Sequence, residues 1–195
     1  MSIVLASSSP RRIEILKQIL GDTPFDVVPS SFPERLVKEK DLHRLCLEEA
    51  LSKACLVAKR RPEDLVLAAD TMVLFEGEQI GKPKDEKDAF ETLRKLQDHT
   101  HEVVTAYALQ QGDKVLKRRI VTAHVAIEKM ADREIELYLE TGSPLDKAGS
   151  YGIQDKDFIH AQILDGDEST VIGLPFWEVR EDLSELGVPV ADVEE

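Results

Sequence analysis

Three hydroxyls and two guanidinium groups, Ser7-Ser8-Ser9-Pro10-Arg11-Arg12, stand between a short apolar run, Ile3-Val4-Leu5-Ala6, and a periodic apolar segment with Ile13, Leu16, Ile19 and Leu20. The run reads as a buried strand and the segment as a helix. Pro10 suits the first helical position, where its missing N–H would be unpaired anyway, and Ser9 is the expected N-cap. Free backbone N–H groups and the positive end of a helix favour an anion. Two adjacent arginines make that anion a phosphate. The alternative is a capped helix with two solvent-exposed arginines.

Further polar groups interrupt apolar surroundings. Asp70 follows the most hydrophobic strand candidate, Leu65-Val66-Leu67-Ala68-Ala69, and is expected to end it beside Thr71. A carboxylate at the end of a buried strand suits a metal ligand or a general base, or else a turn cap. Lys53 lies in Leu51-Ser52-Lys53-Ala54 of a helix expected over residues 41–59, and Lys82 lies between Gly81 and Pro83. Two lysines and an arginine converging on Asp70 would hold a phosphate chain; taken singly, each lysine reads equally as a surface residue. Glu34, in an irregular segment after Pro33, is a possible second carboxylate for a magnesium-type site of oxygen ligands.

Several signatures are missing. The sequence has no glycine-rich Lys-Ser/Thr phosphate loop, no Gly-x-Gly-x-x-Gly fingerprint and no His-Glu-x-x-His motif. No serine sits in a Gly-x-Ser-x-Gly elbow. His99 and His101, which flank Thr100, are read as structural or surface residues.

The elements that must position these groups alternate. Strands are expected over 25–28, 65–69, 103–109, 115–125 and 158–164, and at Val171-Ile172. Glu76-Gly77-Glu78 and Gly112-Asp113 mark hairpins. Helices are expected at 10–20, 41–59, 132–141 and 176–186, with a further one capped by Asp85. The class is therefore α/β or mixed α+β, and 195 residues suffice for a substantial core. A net charge of −13 disfavours non-specific nucleic-acid binding. Cys46 and Cys55 fall on roughly opposite faces of their helix and read as buried intracellular thiols. No apolar stretch reaches membrane-spanning length, and the absence of a basic, hydrophobic leader argues against export.

Ordered blocks along the chain resemble the Maf (septum-formation-inhibitor-like) nucleoside triphosphate pyrophosphatases. They are Leu5 to Arg12, Ser52-Lys53-Ala54, Ala69-Asp70-Thr71, Gly81-Lys82-Pro83, His101 to Thr105, Asp146 to Gln154 and Val171 to Pro175. The resemblance implies one domain over residues 1–195, an elongated twisted mixed sheet with flanking helices in two lobes around a nucleotide cleft. It implies cleavage of a nucleoside triphosphate to the monophosphate and pyrophosphate, dependence on magnesium or manganese, and a cytoplasmic homodimer.

Residue by residue, the resemblance makes Ser8 and Arg12 phosphate ligands, Lys53 and Lys82 phosphate-binding catalytic residues, and Asp70 the catalytic carboxylate. Asp70 and Glu34 become the metal ligands, and Glu34 joins the catalytic residues by helping to hold metal or water. Arg11, Thr71 and Gln154 match the three discriminating positions of the dTTP/UTP branch rather than the 7-methyl-GTP branch. The chain departs from the family after Gln154, where Asp155-Lys156-Asp157-Phe158-Ile159-His160 replaces the usual glycines and aromatic residue, and at Glu49-Ala50. The rival readings are a nucleotide-binding regulatory protein that does not hydrolyse, and a pyrophosphatase for other non-standard nucleotides.

Overall fold

The computed structural model describes residues 2–32 and 41–193. Its strands are β1 (Ile3–Leu5), β2 (Phe25–Val27), β3 (Leu65–Phe75), β4 (Glu78–Ile80), β5 (His99–Gln111), β6 (Lys114–Ile127) and β7 (Ala161–Asp165). Its α-helices are α1 (Pro10–Leu20), α2 (Leu42–Ala58), α3 (Glu86–Leu96), α4 (Asp132–Glu140), α5 (Glu168–Ile172) and α6 (Phe176–Glu185). Two 3-10 turns, Ser143–Asp146 and Ala148–Ser150, precede β7. The strands form one seven-stranded mixed sheet in the order β2-β1-β3-β5-β6-β7, with β4 also paired to β3. β1 is parallel to β2 and β3, and the remaining pairings are antiparallel.

The ends of α1 follow from local chemistry. The Ser9 side chain accepts from Arg12 N–H, Pro10 opens the helix, and Gly21 closes it at φ +56 with its N–H bonded to the Lys17 carbonyl. Ile15, Leu16, Ile19 and Leu20 form the buried stripe. Asp41 and Asp85 cap α2 and α3 in the same way, accepting from Arg44 and Asp88 N–H. The Gly112-Asp113 hairpin stands as expected, joining the long strands β5 and β6.

Alternation along β3 divides the core. Val66, Ala68, Met72 and Leu74 face α2, where they pack with Ala54 and Val57 at one end and with Leu42, Cys46 and Ala50 at the other. Leu65, Leu67 and Ala69 face the opposite side and meet α1 and α6. Val73 and Phe75, on that same side, meet α3 and α4 instead. One face of the sheet thus carries a continuous layer under α2. The other carries two apolar cores, and between them lie Thr71 and Thr105, paired across β3 and β5.

Three expectations need correction. β3 does not end at Asp70-Thr71 but continues to Phe75, so both residues lie mid-strand. Each finds polar partners from other elements, so the ladder can run through them. Val171-Ile172 is the last turn of α5 rather than a strand: Asp167 accepts from Ser169 N–H at its start, and Gly173 at φ +126 ends it. β7 begins at Ala161, not Phe158, because Phe158 is drawn into an aromatic cluster with Tyr138 and Tyr151.

Candidate active site

A gap in the sheet creates the site. On one edge of β3, β1 pairs with Leu65 to Leu67 and β4 pairs with Val73 to Phe75. Among the described residues no strand pairs with that edge over residues 68–72. The chain after β1 and the segment after β4 rim this gap, and a cavity of about 850 Å³ opens there. It is lined by Ser8, Arg11, Arg12, Lys53, Thr71, Lys82 and Gln154, together with Lys147, Asp146, Asp155, Tyr151 and neighbouring residues. Seven residues expected to act together therefore share one cavity, although they come from α1, α2, β3 and three loops. Among the described residues five cations against two carboxylates line it, so these residues of an acidic chain present a locally positive cavity.

Asp70 lies just behind this lining. Its side chain is 8% exposed and that of Lys53 11%, and Lys53 Nζ donates to Asp70 Oδ1. Lys53 is therefore not the exposed helix lysine that its local sequence allows. Cys46, about two turns before Lys53 in α2, donates its thiol hydrogen to the Asp70 carbonyl at 3.3 Å, and its sulfur lies 3.8 Å from Asp70 Oδ2. Burial and the Asp70 carboxylate push the Cys46 thiol far up, which keeps it a donor. Cys55, expected to be buried, is half-exposed.

Arg12 is turned into the protein. Its Nε donates to the Gly173 carbonyl at 2.7 Å, Nη1 to the Ala69 carbonyl at 3.0 Å and Nη2 to Thr71 Oγ1 at 3.0 Å. These bonds fasten α1 to β3 and to the end of α5 while leaving the charge at the cavity wall. Gly173 fits this contact because a Cβ there would lie 3.3 Å from Arg12 Nε. Arg11, the neighbouring residue, lines the cavity opposite the Asp146 turn. Burial would raise the Asp146 carboxyl, but its bond to Lys147 and the charges of Lys147 and Arg11 hold it below the ordinary range.

Gln154 is carried on a loop with a polar anchor. Asp155 Oδ2 accepts from Tyr138 Oη at 2.5 Å and from Ser143 Oγ at 2.7 Å. Tyr138 Oη in turn accepts from Gly152 N–H at 3.0 Å. Burial and the Asp155 carboxylate push the Tyr138 phenol well up, so it remains a donor. Asp155 therefore supplies the anchor.

For a divalent cation the described residues offer Asp70 behind the lining and Asp146 and Asp155 in it, and no group of three His, Cys, Asp or Glu among them is placed to hold a metal ion. That donor set fits a magnesium-type ion completed mainly by phosphate oxygens and water. Glu34, the second expected ligand, lies outside the described residues.

The whole of this geometry falls within a family match. Residues 2–186 match the model of the Maf-like proteins. The chain belongs to this family. The dTTP/UTP pyrophosphatase of Pyrococcus furiosus is 41% identical over 187 residues, covering 95% of both chains. The dTTP/UTP pyrophosphatase of Geobacter sulfurreducens is also 41% identical, covering 95% of this chain and 96% of its own. That of Clostridium botulinum (strain Okra) is 39% identical and covers 96% and 98%. Among solved structures, a HAM1 protein from Coxiella burnetii shares the fold at TM-score 0.54 and 17% identity, covering 95% of this chain and 99% of that one.

In this Maf-like chain two groups escaped sequence reasoning. Lys147 stands in the sequence only as part of a block, yet it lines the cavity with its Nζ bonded to Ser143 Oγ and Asp146 at 2.7 and 2.8 Å. Thr105 is fully buried and bonded to Thr71. Its place opposite Thr71 depends on the register of β3 with β5, which no local pattern reveals. His101 is structural as expected: it is buried and bonded to Tyr151 Oη at 2.7 Å.

Proposed function

We propose that this protein is a nucleoside triphosphate pyrophosphatase acting on dTTP and UTP, working as a cytoplasmic homodimer with magnesium or manganese. The observation that carries the reading is the gathering of Arg11, Lys53 and Lys82 on one cavity, with Asp70 bonded directly behind Lys53. The names of the relatives that match along nearly the whole chain support the same substrates.

The triphosphate lies over Ser8 and the start of α1, where the helix end and Arg12 attract its charge. Lys53 and Lys82 meet the phosphate oxygens from the other walls. Developing charge on the α phosphate and on the leaving pyrophosphate is then met by groups already in position. Asp70 takes the proton of the attacking water through Oδ2, while Lys53 holds Oδ1 and orients the carboxylate. Asp70 and Glu34 would hold a divalent cation that arrives with the nucleotide; when bound it adds positive charge at the phosphate oxygens. Arg11 and Gln154 lie where the base and sugar end of the nucleotide would reach.

The test is product identity. Incubation with UTP and magnesium is expected to give UMP and pyrophosphate in equal amounts. UDP with orthophosphate would refute cleavage between the α and β phosphates, and bound but intact UTP would favour the non-hydrolysing reading.

A further inference from the structure

An ammonium carries three hydrogens and no lone pair. Those of Lys147 meet three acceptors within its own turn. Nζ lies 2.7 Å from the Ser143 carbonyl oxygen, 2.7 Å from Ser143 Oγ and 2.8 Å from Asp146 Oδ1. The side chain is 11% exposed, although the residue lines the cavity. A cation on such a wall would ordinarily be assigned to phosphate. This one has its hydrogens committed to the protein.

The bonds beyond Lys147 have a fixed direction. Ser143 Oγ accepts from Lys147, and its single hydrogen goes to Asp155 Oδ2 at 2.7 Å, because a carboxylate only accepts. The same Oδ2 takes the Tyr138 hydroxyl hydrogen, which leaves Tyr138 Oη to accept from Gly152 N–H at 3.0 Å. Asp155 N–H returns to the Gly152 carbonyl at 3.0 Å. Residues 152–155 are thereby closed into a turn, and Gln154 lies within it on the cavity wall. Lys147 also supplies charge, with Nζ 3.8 Å from Asp155 Oδ2. Without that ammonium, Ser143 Oγ loses its donor and the Asp155 carboxylate loses a facing cation.

We infer that Lys147 is a positioning residue and not a phosphate ligand: through Ser143 and Asp155 it sets the place of Gln154. The inference rests on the reading of Gln154 as a contact to the nucleoside end of dTTP or UTP.

The experiment measures kcat and KM for UTP with magnesium, and the inhibition constants of the two products, UMP and pyrophosphate. The proteins are the wild type, Lys147→Met, Ser143→Ala, Gln154→Ala and the double variant of Lys147→Met with Gln154→Ala, with thermal unfolding as the check on folding. Lys147→Met is expected to raise the KM for UTP and the constant for UMP about tenfold, with kcat and the pyrophosphate constant within about twofold of wild type. Ser143→Ala keeps the ammonium but breaks the relay, and is expected to raise the same two constants by about threefold or more. In the Gln154→Ala background Lys147→Met is expected to add less than about twofold, because the residue it positions is gone. A pyrophosphate constant that rises in step with that of UMP would make Lys147 a phosphate ligand and overturn the inference. Losses that multiply in the double variant, or an unchanged KM in Ser143→Ala, overturn it as well. If Lys147→Met does not fold, Ser143→Ala, alone and with Gln154→Ala, is read the same way. These outcomes leave the dTTP/UTP reading standing, whereas a wild-type protein that leaves UTP intact overturns both.

Discussion

Lys53 Nζ donates to Asp70 Oδ1 across the seam between α2 and β3, with the two side chains only 11% and 8% exposed. This pair carries a charge relationship that neither residue can sustain alone in that position. Removing one partner leaves an uncompensated charge in the interior, which typically costs about 3–5 kcal/mol.

Asp70→Asn is therefore expected to have two effects. Turnover falls by about 10²–10⁴-fold through loss of the base. The midpoint of thermal unfolding also falls, by on the order of 10 °C for a chain of this size. Adding Lys53→Met removes the orphaned ammonium, and the double variant should be more stable than Asp70→Asn although equally inactive. Pyrophosphate release and calorimetry on the four proteins read this cycle. Additive destabilisation would argue that the two groups do not interact, and near-normal turnover of Asp70→Asn would remove Asp70 from the chemistry.

The Gln154 loop makes a separate prediction. A Cβ on Gly152 would lie 2.7 Å from the Asp155 carboxylate atoms, which accept from Tyr138 and Ser143. Gly152→Ala must displace that carboxylate and with it the residue that precedes it, Gln154. Misplacement of a substrate-positioning group by about 1 Å can cost up to about 100-fold. The expected signature is a KM for UTP raised at least tenfold, with kcat changed less. A loss confined to kcat would detach the anchor from nucleotide binding.

His101 predicts a pH dependence of stability. Burial lowers its pKa from 6.5 to about 4, so the folded protein holds it neutral while the unfolded chain takes up a proton. The stability associated with neutral His101 is complete above pH 6.5 and is lost as the pH falls toward about 4. The loss amounts to about 3 kcal/mol. His101→Gln lacks this titration. The stability gap between wild type and variant, from urea unfolding at several pH values, should narrow by about that amount between pH 6.5 and 4. A gap that stays constant would contradict the buried, neutral state.

What the sequence discloses depends on how local the cause is. The Ser9 cap, Pro10 and the Gly112-Asp113 hairpin are set by neighbours in the chain, and each stands where its residues imply. Asp70 and Thr71 look like a strand end because two polar residues interrupt an apolar run. They lie mid-strand because Lys53, 17 positions away, and Thr105, 34 positions away, satisfy them. Val171-Ile172 has strand-like residues, but the Asp167 cap and Gly173 make it helical. Likewise the sequence marks Arg12 as a cation without showing that it binds two carbonyls and Thr71. Composition and motif blocks point to the family and its reaction, whereas partners brought together by sheet register become visible only in three dimensions.

Preference of this cavity for dTTP and UTP over other nucleotides is read from kcat/KM by pyrophosphate release. The panel is dTTP, UTP, CTP, GTP, ITP and 7-methyl-GTP, each with and without magnesium. dTTP and UTP are expected at least tenfold above every other member, with activity lost on chelation and lowered selectivity in Arg11→Leu. Comparable rates across the panel, or a purine nucleotide hydrolysed fastest, would contradict this preference.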